Sequence, residues 1–149
     1  MPLLTIDASW FPSYKLSSTT PFTEVVRSPR GYGGGVSLLE PRTSPNLRHE
    51  RPAILVTSTS WTPDEDFSIL IDALKKYEYT ARTHNAKEPA KPLPKVLMCI
   101  TGQGPLRAEY MAKIQHIMTE ETWEWVRCQS LWLEPEDYPR LLGDWNKLL

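Results

Sequence analysis

Two short loops carry residue types that could bind a phosphorylated ligand. The first, which we term the hydroxyl loop, follows an apolar run and consists of Ser58, Thr59, Ser60 and Trp61. The second, which we term the glycine loop, follows another apolar run and consists of Gly102, Gln103, Gly104 and Pro105. Hydroxyl and free helix N–H groups can hold a phosphate, and glycines let a backbone approach a nucleotide without interference from a Cβ atom. Both loops are therefore candidates for a ligand site.

Each loop also has a structural explanation. Thr62 and Glu65 have the spacing of a capping box, Pro63 suits the first helical position, and Asp64 and Asp66 complement the positive end of a helix. Helix stability accounts for these five residues but not for the hydroxyl loop before them. The glycine loop could serve only as a sharp turn. It lacks the third glycine of the dinucleotide fingerprint, and GxxxxGK[ST] is absent, so no nicotinamide site and no cofactor are predicted.

The remaining candidates are explained more simply by structure. The histidines are far apart in sequence and have no cysteine or carboxylate at ligand spacing, so no metal is predicted: His49, His84 and His116. Three acids could act in acid/base chemistry, but at a helix start they more often complement the dipole: Glu134, Glu136 and Asp137. Three tryptophans could stack on a base or a sugar, but alternation along a half-buried strand is the commoner cause: Trp123, Trp125 and Trp132. No catalytic residue is assigned.

Alternating strands and helices must position the two loops. Runs of strand length are "AILVTS", "KVLMCI" and "WEWVRCQSLWL". Apolar residues recur at helical spacing over residues 64–79 and again from Leu106, and "EPEDYPRLLG" predicts a short third helix. The order βαβαβα predicts an α/β fold, a partial Rossmann-like domain with a parallel sheet. In such sheets ligands bind beyond the carboxyl ends of the strands, where both loops lie.

The chain divides near residue 50. Residues 1–50 are rich in proline, glycine and serine, which predicts a mostly irregular leader or inter-domain segment. Residues 51–149 form the truncated Rossmann-like domain, with "TARTHNAKEPAKPLP" as a surface insert after its first helix. Three strands are fewer than the ~5 of a usual sheet. We therefore expect the leader or a partner to cover the sheet, or the domain to be marginally stable.

Composition narrows the function classes. Lys and Arg number 17 against 18 Asp and Glu, so neither a nucleic-acid groove nor a polybasic membrane patch is predicted. No run approaches the ~18 apolar residues that a membrane helix needs, and no signal peptide is recognisable, so we expect a soluble chain. Cys99 and Cys128 lie in apolar stretches, which is typical of buried, reduced thiols.

Three blocks in the chain resemble one enzyme family. In order they are "RPAILVTSTSWTPDEDFSILIDAL", "ITGQGPLR" and "WLEPEDYPRLLG", which together reach from about Arg51 to Gly143. They are similar to the start of the C-terminal domain of the chitobiosyldiphosphodolichol β-mannosyltransferases. The "STSWTxDEDF" block is the most specific of the three.

The resemblance implies a two-domain GT-B fold that transfers mannose from GDP-mannose to dolichol-linked di-N-acetylglucosamine diphosphate. The reaction would take place at the cytosolic face of the endoplasmic reticulum, early in N-glycan assembly, with inversion at the anomeric carbon. By similarity, the hydroxyl loop would face the diphosphate-sugar end of the donor. The glycine loop would line its nucleotide side.

The chain departs from the family in three respects. Gln103 stands where the family commonly has lysine, which removes a phosphate partner. The family's membrane anchor and acceptor domain have no counterpart here, and "DWNKLL" replaces the family's next strand. The sequence therefore resembles a fragment, with activity dependent on missing parts. Two alternatives stay open: a non-catalytic βα module that binds a partner, such as a full-length family member, through its sheet edge, or a gene-model remnant.

Overall fold

The computed structural model describes residues 22–27 and 43–139, and it separates two compact units at Arg51 and Pro52. The described part of the first unit contains two antiparallel strands, β1 (Thr23–Arg27) and β2 (Thr43–Leu47). Sequence analysis expected a mostly irregular segment and did not anticipate this pairing. The reason is that β2 has the sequence "TSPNL", in which proline and asparagine disfavour a strand.

The second unit has the predicted alternation of strands and helices. Its elements in chain order are β3 (Ala53–Ser58), α1 (Phe67–Lys87), β4 (Val96–Thr101), α2 (Arg107–Glu120) and β5 (Val126–Leu131). The strands form a parallel sheet in the order β3-β4-β5. The predicted α/β, partial Rossmann-like class is confirmed. Of the predicted third helix, residues 134–143, the structure describes residues 134–139, in which residues 135–137 form a turn and residues 138 and 139 have helical backbone.

Strand β4 is the central strand of the described sheet, and its residues are buried on both faces. One face of the sheet packs against both helices, and the residues of this core include Val96, Met98, Ile100, Val126, Ile71, Leu74, Ile114 and Met118. On the opposite face Leu97, Cys99 and Thr101 are also buried. The Tyr138 hydroxyl donates to Thr101 Oγ1 at 3.4 Å, so the segment after β5 returns to this second face.

Helix α1 does not begin with the predicted capping box. Its N-cap is Asp66, whose carboxylate accepts the Ser68 N–H at 2.9 Å. Thr62 and Glu65 instead close a turn before the helix, in which the Glu65 N–H donates to the Thr62 carbonyl at 3.1 Å. The prediction was wrong because Asp66 is itself a strong cap residue placed directly before the apolar stripe.

The helix also runs further than predicted, to Lys87. The first half of the expected surface insert is therefore helical, and only the proline-bearing half is irregular. That irregular half is tied to the helix by Asn85, whose carboxamide accepts the Leu93 N–H at 2.7 Å and donates to the Leu93 carbonyl at 3.1 Å. No helix among the described residues is long and apolar enough to cross a membrane.

A buried carboxylate joins α1 to the start of β5. Glu78 is only 4% exposed. Its two oxygens accept the backbone N–H groups of Glu124 at 2.9 Å, Trp125 at 2.8 Å and Val126 at 3.0 Å. Arg82 Nη2 also donates to Glu78, at 2.9 Å. This cluster fixes the amino end of the sheet, opposite the edge where the two loops lie.

Candidate functional site

The structure brings the hydroxyl and glycine loops into direct contact at the carboxyl edge of the sheet. The Thr59 N–H donates to the Thr101 carbonyl at 3.0 Å. The Trp61 indole Nε1–H donates to the Gly102 carbonyl at 3.2 Å, and the Leu106 N–H donates to the Trp61 carbonyl at 3.1 Å. Parallel strands place their carboxyl ends together, so sequence reasoning could locate this edge.

The two glycines of the glycine loop are required by this contact. Gly102 has φ +117°, and a Cβ atom there would lie 1.9 Å from the Thr59 carbonyl oxygen. A Cβ atom on Gly104 would lie 1.7 Å from the Ser60 carbonyl oxygen. The spacing of the glycines is thus explained by close approach of one loop to the other. A role in admitting a nucleotide stays a prediction.

Trp61 lies in the core and not on the open face of the loop. Its side chain is fully buried and stacks on Phe67, with the ring centroids 4.7 Å apart and the planes 13° from parallel. Its backbone adopts φ 54°, which turns the chain from β3 toward α1. Since its one polar atom donates to Gly102, the side chain anchors the loops. The role of Trp61 in donor binding stays a prediction.

The loop hydroxyls surround Glu65. Thr59 Oγ1 donates to the Glu65 carboxylate and accepts the Trp61 N–H at 3.1 Å. The Ser60 hydroxyl, which is exposed, lies 3.1 Å from Thr62 Oγ1 and donates to Glu65 Oε1 at 3.4 Å. Ser58, Gln103, Gly104 and Pro105 are exposed as well. The edge therefore offers a hydroxyl-rich surface beside the tip of the glycine loop.

Three carboxylates beside this surface are held in the charged form. The hydrogen bond from Thr59 lowers the pKa of Glu65, that from Thr62 lowers the pKa of Asp64, and that from Ser68 lowers the pKa of Asp66. All three are negative at neutral pH. An anionic ligand at this edge would therefore need a nearby cation.

A cation does lie at the edge, on a residue that sequence analysis did not select. Arg107 is the first residue of α2 and is exposed. Its Nε donates to the Ser130 hydroxyl, near the end of β5, at 2.7 Å. The arginine stands two residues after the glycine loop in "GQGPLR", and Ser130 is one of the polar residues of the third strand. Those two features were the available signals, but only the fold shows that they meet.

The other candidates do not join the site. His84 Nε2 pairs with the Lys91 carbonyl at 2.9 Å, and no group of three metal-ligating side chains occurs in the described ranges. Trp123 is buried and donates to Glu121, whereas Trp132 is 55% exposed. Glu134 and Asp137 form a turn, in which the Asp137 N–H donates to the Glu134 carbonyl.

Burial raises the pKa of the Cys99 and Cys128 thiols to about 12, which makes them poor nucleophiles.

The fold and the two interlocked loops define a part of an α/β, Rossmann-like domain with its candidate ligand edge beyond the parallel strands. By sequence this part is similar to enzymes named chitobiosyldiphosphodolichol beta-mannosyltransferase. The protein of Mus musculus is 50% identical over 95 residues, which is 64% of this chain and 18% of the relative. The Homo sapiens protein is also 50% identical over 95 residues, covering 63% of this chain and 18% of the relative. The resemblance to this enzyme family is confirmed for these residues.

A plant protein extends the comparison. The UDP-glycosyltransferase TURAN of Arabidopsis thaliana is 38% identical over 105 residues, which is 66% of this chain and 22% of that protein. The chain thus spans about a fifth of the length of the curated relatives that it matches. No family model matches the chain, and no solved structure matches it.

Proposed function

We propose that this chain contributes the donor-binding part of a mannosyltransferase of N-glycan precursor synthesis. The donor would be GDP-mannose, and the acceptor dolichol-linked di-N-acetylglucosamine diphosphate at the cytosolic face of the endoplasmic reticulum. The names of the relatives support the transfer of mannose and the acceptor. The observation that carries the proposal is the contact between the two loops at the carboxyl edge, where α/β sheets bind nucleotides.

In this proposal the exposed groups of the edge contact the donor. Ser58 and Ser60 offer hydroxyls toward the diphosphate-sugar end, and Gln103 to Pro105 offer backbone toward the nucleotide. Trp61 and Gly102 hold the two loops in register from beneath. No described residue is assigned as catalytic base. Donor binding is therefore the step to test first on this chain.

A thermal melt with and without excess GDP-mannose tests the proposal directly. A ligand present at 100 times its Kd and bound only by the folded state stabilises it by about 2.7 kcal/mol. For a unit of this size that corresponds to a rise in Tm of about 10 °C or more. UDP-glucose serves as the comparison donor because one relative is named a UDP-glycosyltransferase. A cooperative melt that GDP-mannose does not move would reject the proposal.

Variants then locate the binding surface. Ser58→Ala with Ser60→Ala removes the two exposed hydroxyls and is expected to reduce the GDP-mannose shift. Thr119→Ala is the matched control, since it removes an exposed hydroxyl near the C-terminal end of α2 that donates only to the Gln115 carbonyl. An equal loss of the shift in both variants would mean that the hydroxyl loop has no specific role.

A second candidate function is binding of a protein partner, for which a full-length family member is the proposed occupant. The observation in its favour is that β3 lies at an edge of the described sheet with Leu55, in mid-strand, 48% exposed. Strand addition at such an edge is a common mode of association. Complex formation that survives the double serine change but fails with Leu55→Lys would favour this function.

A further inference from the structure

Arg107 is a basic residue beside the two loops to which the proposed function assigns no role. Its side chain is exposed, and its Nε–H donates to Ser130 Oγ at 2.7 Å. Ser130 lies one residue before the end of β5, so the guanidinium is held against the carboxyl edge of the sheet. Arg107 stands two residues after the glycine loop, and its backbone N–H donates to the Gly104 carbonyl at 3.4 Å.

The hydrogen bond at Nε orients the guanidinium and leaves its two terminal nitrogens available. Nε is bound by the serine, and no hydrogen bond or ion pair of Nη1 or Nη2 occurs among the residues that the structure describes. These two nitrogens form the planar fork that matches phosphate oxygens in a bidentate manner. A guanidinium fixed in this way loses less side-chain freedom when it binds an anion.

Three other basic side chains that the structure describes in the second unit are less well placed. Lys113 lies nearly two turns further along α2, and its charge acts on Asp66. Arg82 donates to Glu78 and to the Thr122 carbonyl at the opposite end of the sheet. Arg127 donates to the Trp123 and Val126 carbonyls at that same end. Within the described loops and first helical turns of the carboxyl edge, Arg107 is the basic residue.

Charge makes such a residue necessary if the ligand is a nucleotide sugar. The ionised carboxylates of Asp64, Glu65 and Asp66 stand at the start of α1 and repel a diphosphate. Gln103, at the tip of the glycine loop, carries no charge to offset them. A fixed cation on α2 would offset this repulsion at the other side of the hydroxyl surface.

We propose that Arg107, oriented by Ser130, binds the diphosphate of the nucleotide-sugar donor. This inference rests on the proposed function, since it assigns a residue to the same edge. It predicts that Arg107 acts on the phosphates and not on the base or the sugar.

Isothermal titration of the whole chain with GDP-mannose, GDP and guanosine tests this assignment. Arg107→Gln removes the fork, and affinity for GDP-mannose and GDP is expected to fall about 10- to 100-fold, the range for a lost charge-assisted contact. Guanosine, which has no phosphate, should bind both proteins equally. Arg107→Lys keeps the charge but loses the fork, and Ser130→Ala keeps the guanidinium but frees it, so both should give smaller losses.

Lys113→Gln is the matched control, because it removes one positive charge from the same helix. If it weakens GDP as much as Arg107→Gln does, or if Arg107→Gln weakens guanosine by the same factor, the assignment is overturned. Binding of GDP-mannose by the parent chain, with no change in Arg107→Gln, would overturn the role of Arg107 and leave the proposed function standing. Absence of binding in a folded parent chain would overturn both. Melts without ligand establish folding, and if Arg107→Gln fails to fold, the lysine and Ser130 variants decide.

Discussion

Replacing Glu78 should be among the most damaging single changes in this protein. The carboxylate accepts three consecutive backbone N–H groups, at residues 124–126, and a guanidinium nitrogen of Arg82. Glu78→Ala deletes all four acceptor contacts and leaves the N–H groups at the start of β5 without their partner. Glu78→Gln keeps the size of the side chain but turns one acceptor oxygen into an N–H donor.

The magnitude follows from the burial of the cluster. A buried polar group left unsatisfied costs about 1–3 kcal/mol, and Glu78→Ala removes the acceptor of three backbone N–H groups. The Arg82 side chain is 47% exposed, so water solvates its guanidinium when the carboxylate is removed. Trp125 is only partly buried, so water can reach part of the freed backbone. We therefore expect Glu78→Ala to lower the free energy of unfolding by about 3–5 kcal/mol, and Glu78→Gln by about 2 kcal/mol. Against a total of about 5–15 kcal/mol, this loss is a large share of the stability of the protein.

Urea unfolding followed by circular dichroism measures this difference. The control is Glu120→Ala, which truncates an exposed glutamate at the last residue of α2. It should stay within about 0.5 kcal/mol of the parent, as surface changes usually do. A loss below 1 kcal/mol for Glu78→Ala would refute the reasoning, because it would mean that the start of β5 does not depend on the carboxylate.

Three further predictions concern the loops and the thiols. Gly104→Ala should destabilise the second unit and lower its Tm, since the added Cβ would meet a carbonyl oxygen at 1.7 Å; a Tm equal to that of the parent would contradict the packing of the two loops. The hydrogen bond from Thr59 lowers the pKa of Glu65. The stability that this bond gives the fold is therefore present at neutral pH and is lost as the pH falls below 4.5, the ordinary pKa of a glutamate. Thr59→Val should therefore weaken the acid dependence of Tm, and an unchanged pH profile would argue against this bond. Cys99 and Cys128, with pKa values of about 12, should react with a thiol reagent at pH about 8 only after urea unfolding, and rapid labelling of the native chain would be the contrary result.

The strands and helices of the second unit were predictable because their signals are local. The run "VLMCIT" is apolar at nearly every position, as a strand buried on both faces requires, and residues such as Phe67, Ile71 and Leu74 repeat at helical spacing. The edge that joins the two loops was predictable as well, since parallel strands fix where their carboxyl ends lie.

The misses depend on contacts between distant residues or on competition between neighbours. Thr62 and Asp66 are both good cap residues, and sequence alone did not show that Glu65 would turn toward Thr59. The same limit applies to Glu78, whose backbone partners lie 46 to 48 residues away, and to the β1–β2 pairing. Sequence alone also did not show that the Trp61 side chain is buried beneath the two loops.

The interlocking of the hydroxyl and glycine loops has a thermodynamic consequence for any ligand. Gly102 and Gly104 hold the second loop against the backbone of the first, and the Trp61 indole fastens them from below. Because both segments are ordered by these contacts before a ligand arrives, binding need not spend conformational entropy on arranging them. Such a preformed surface should discriminate by shape and charge and should change little on ligation. A ligand that requires the two loops to separate would have to break the core around Trp61.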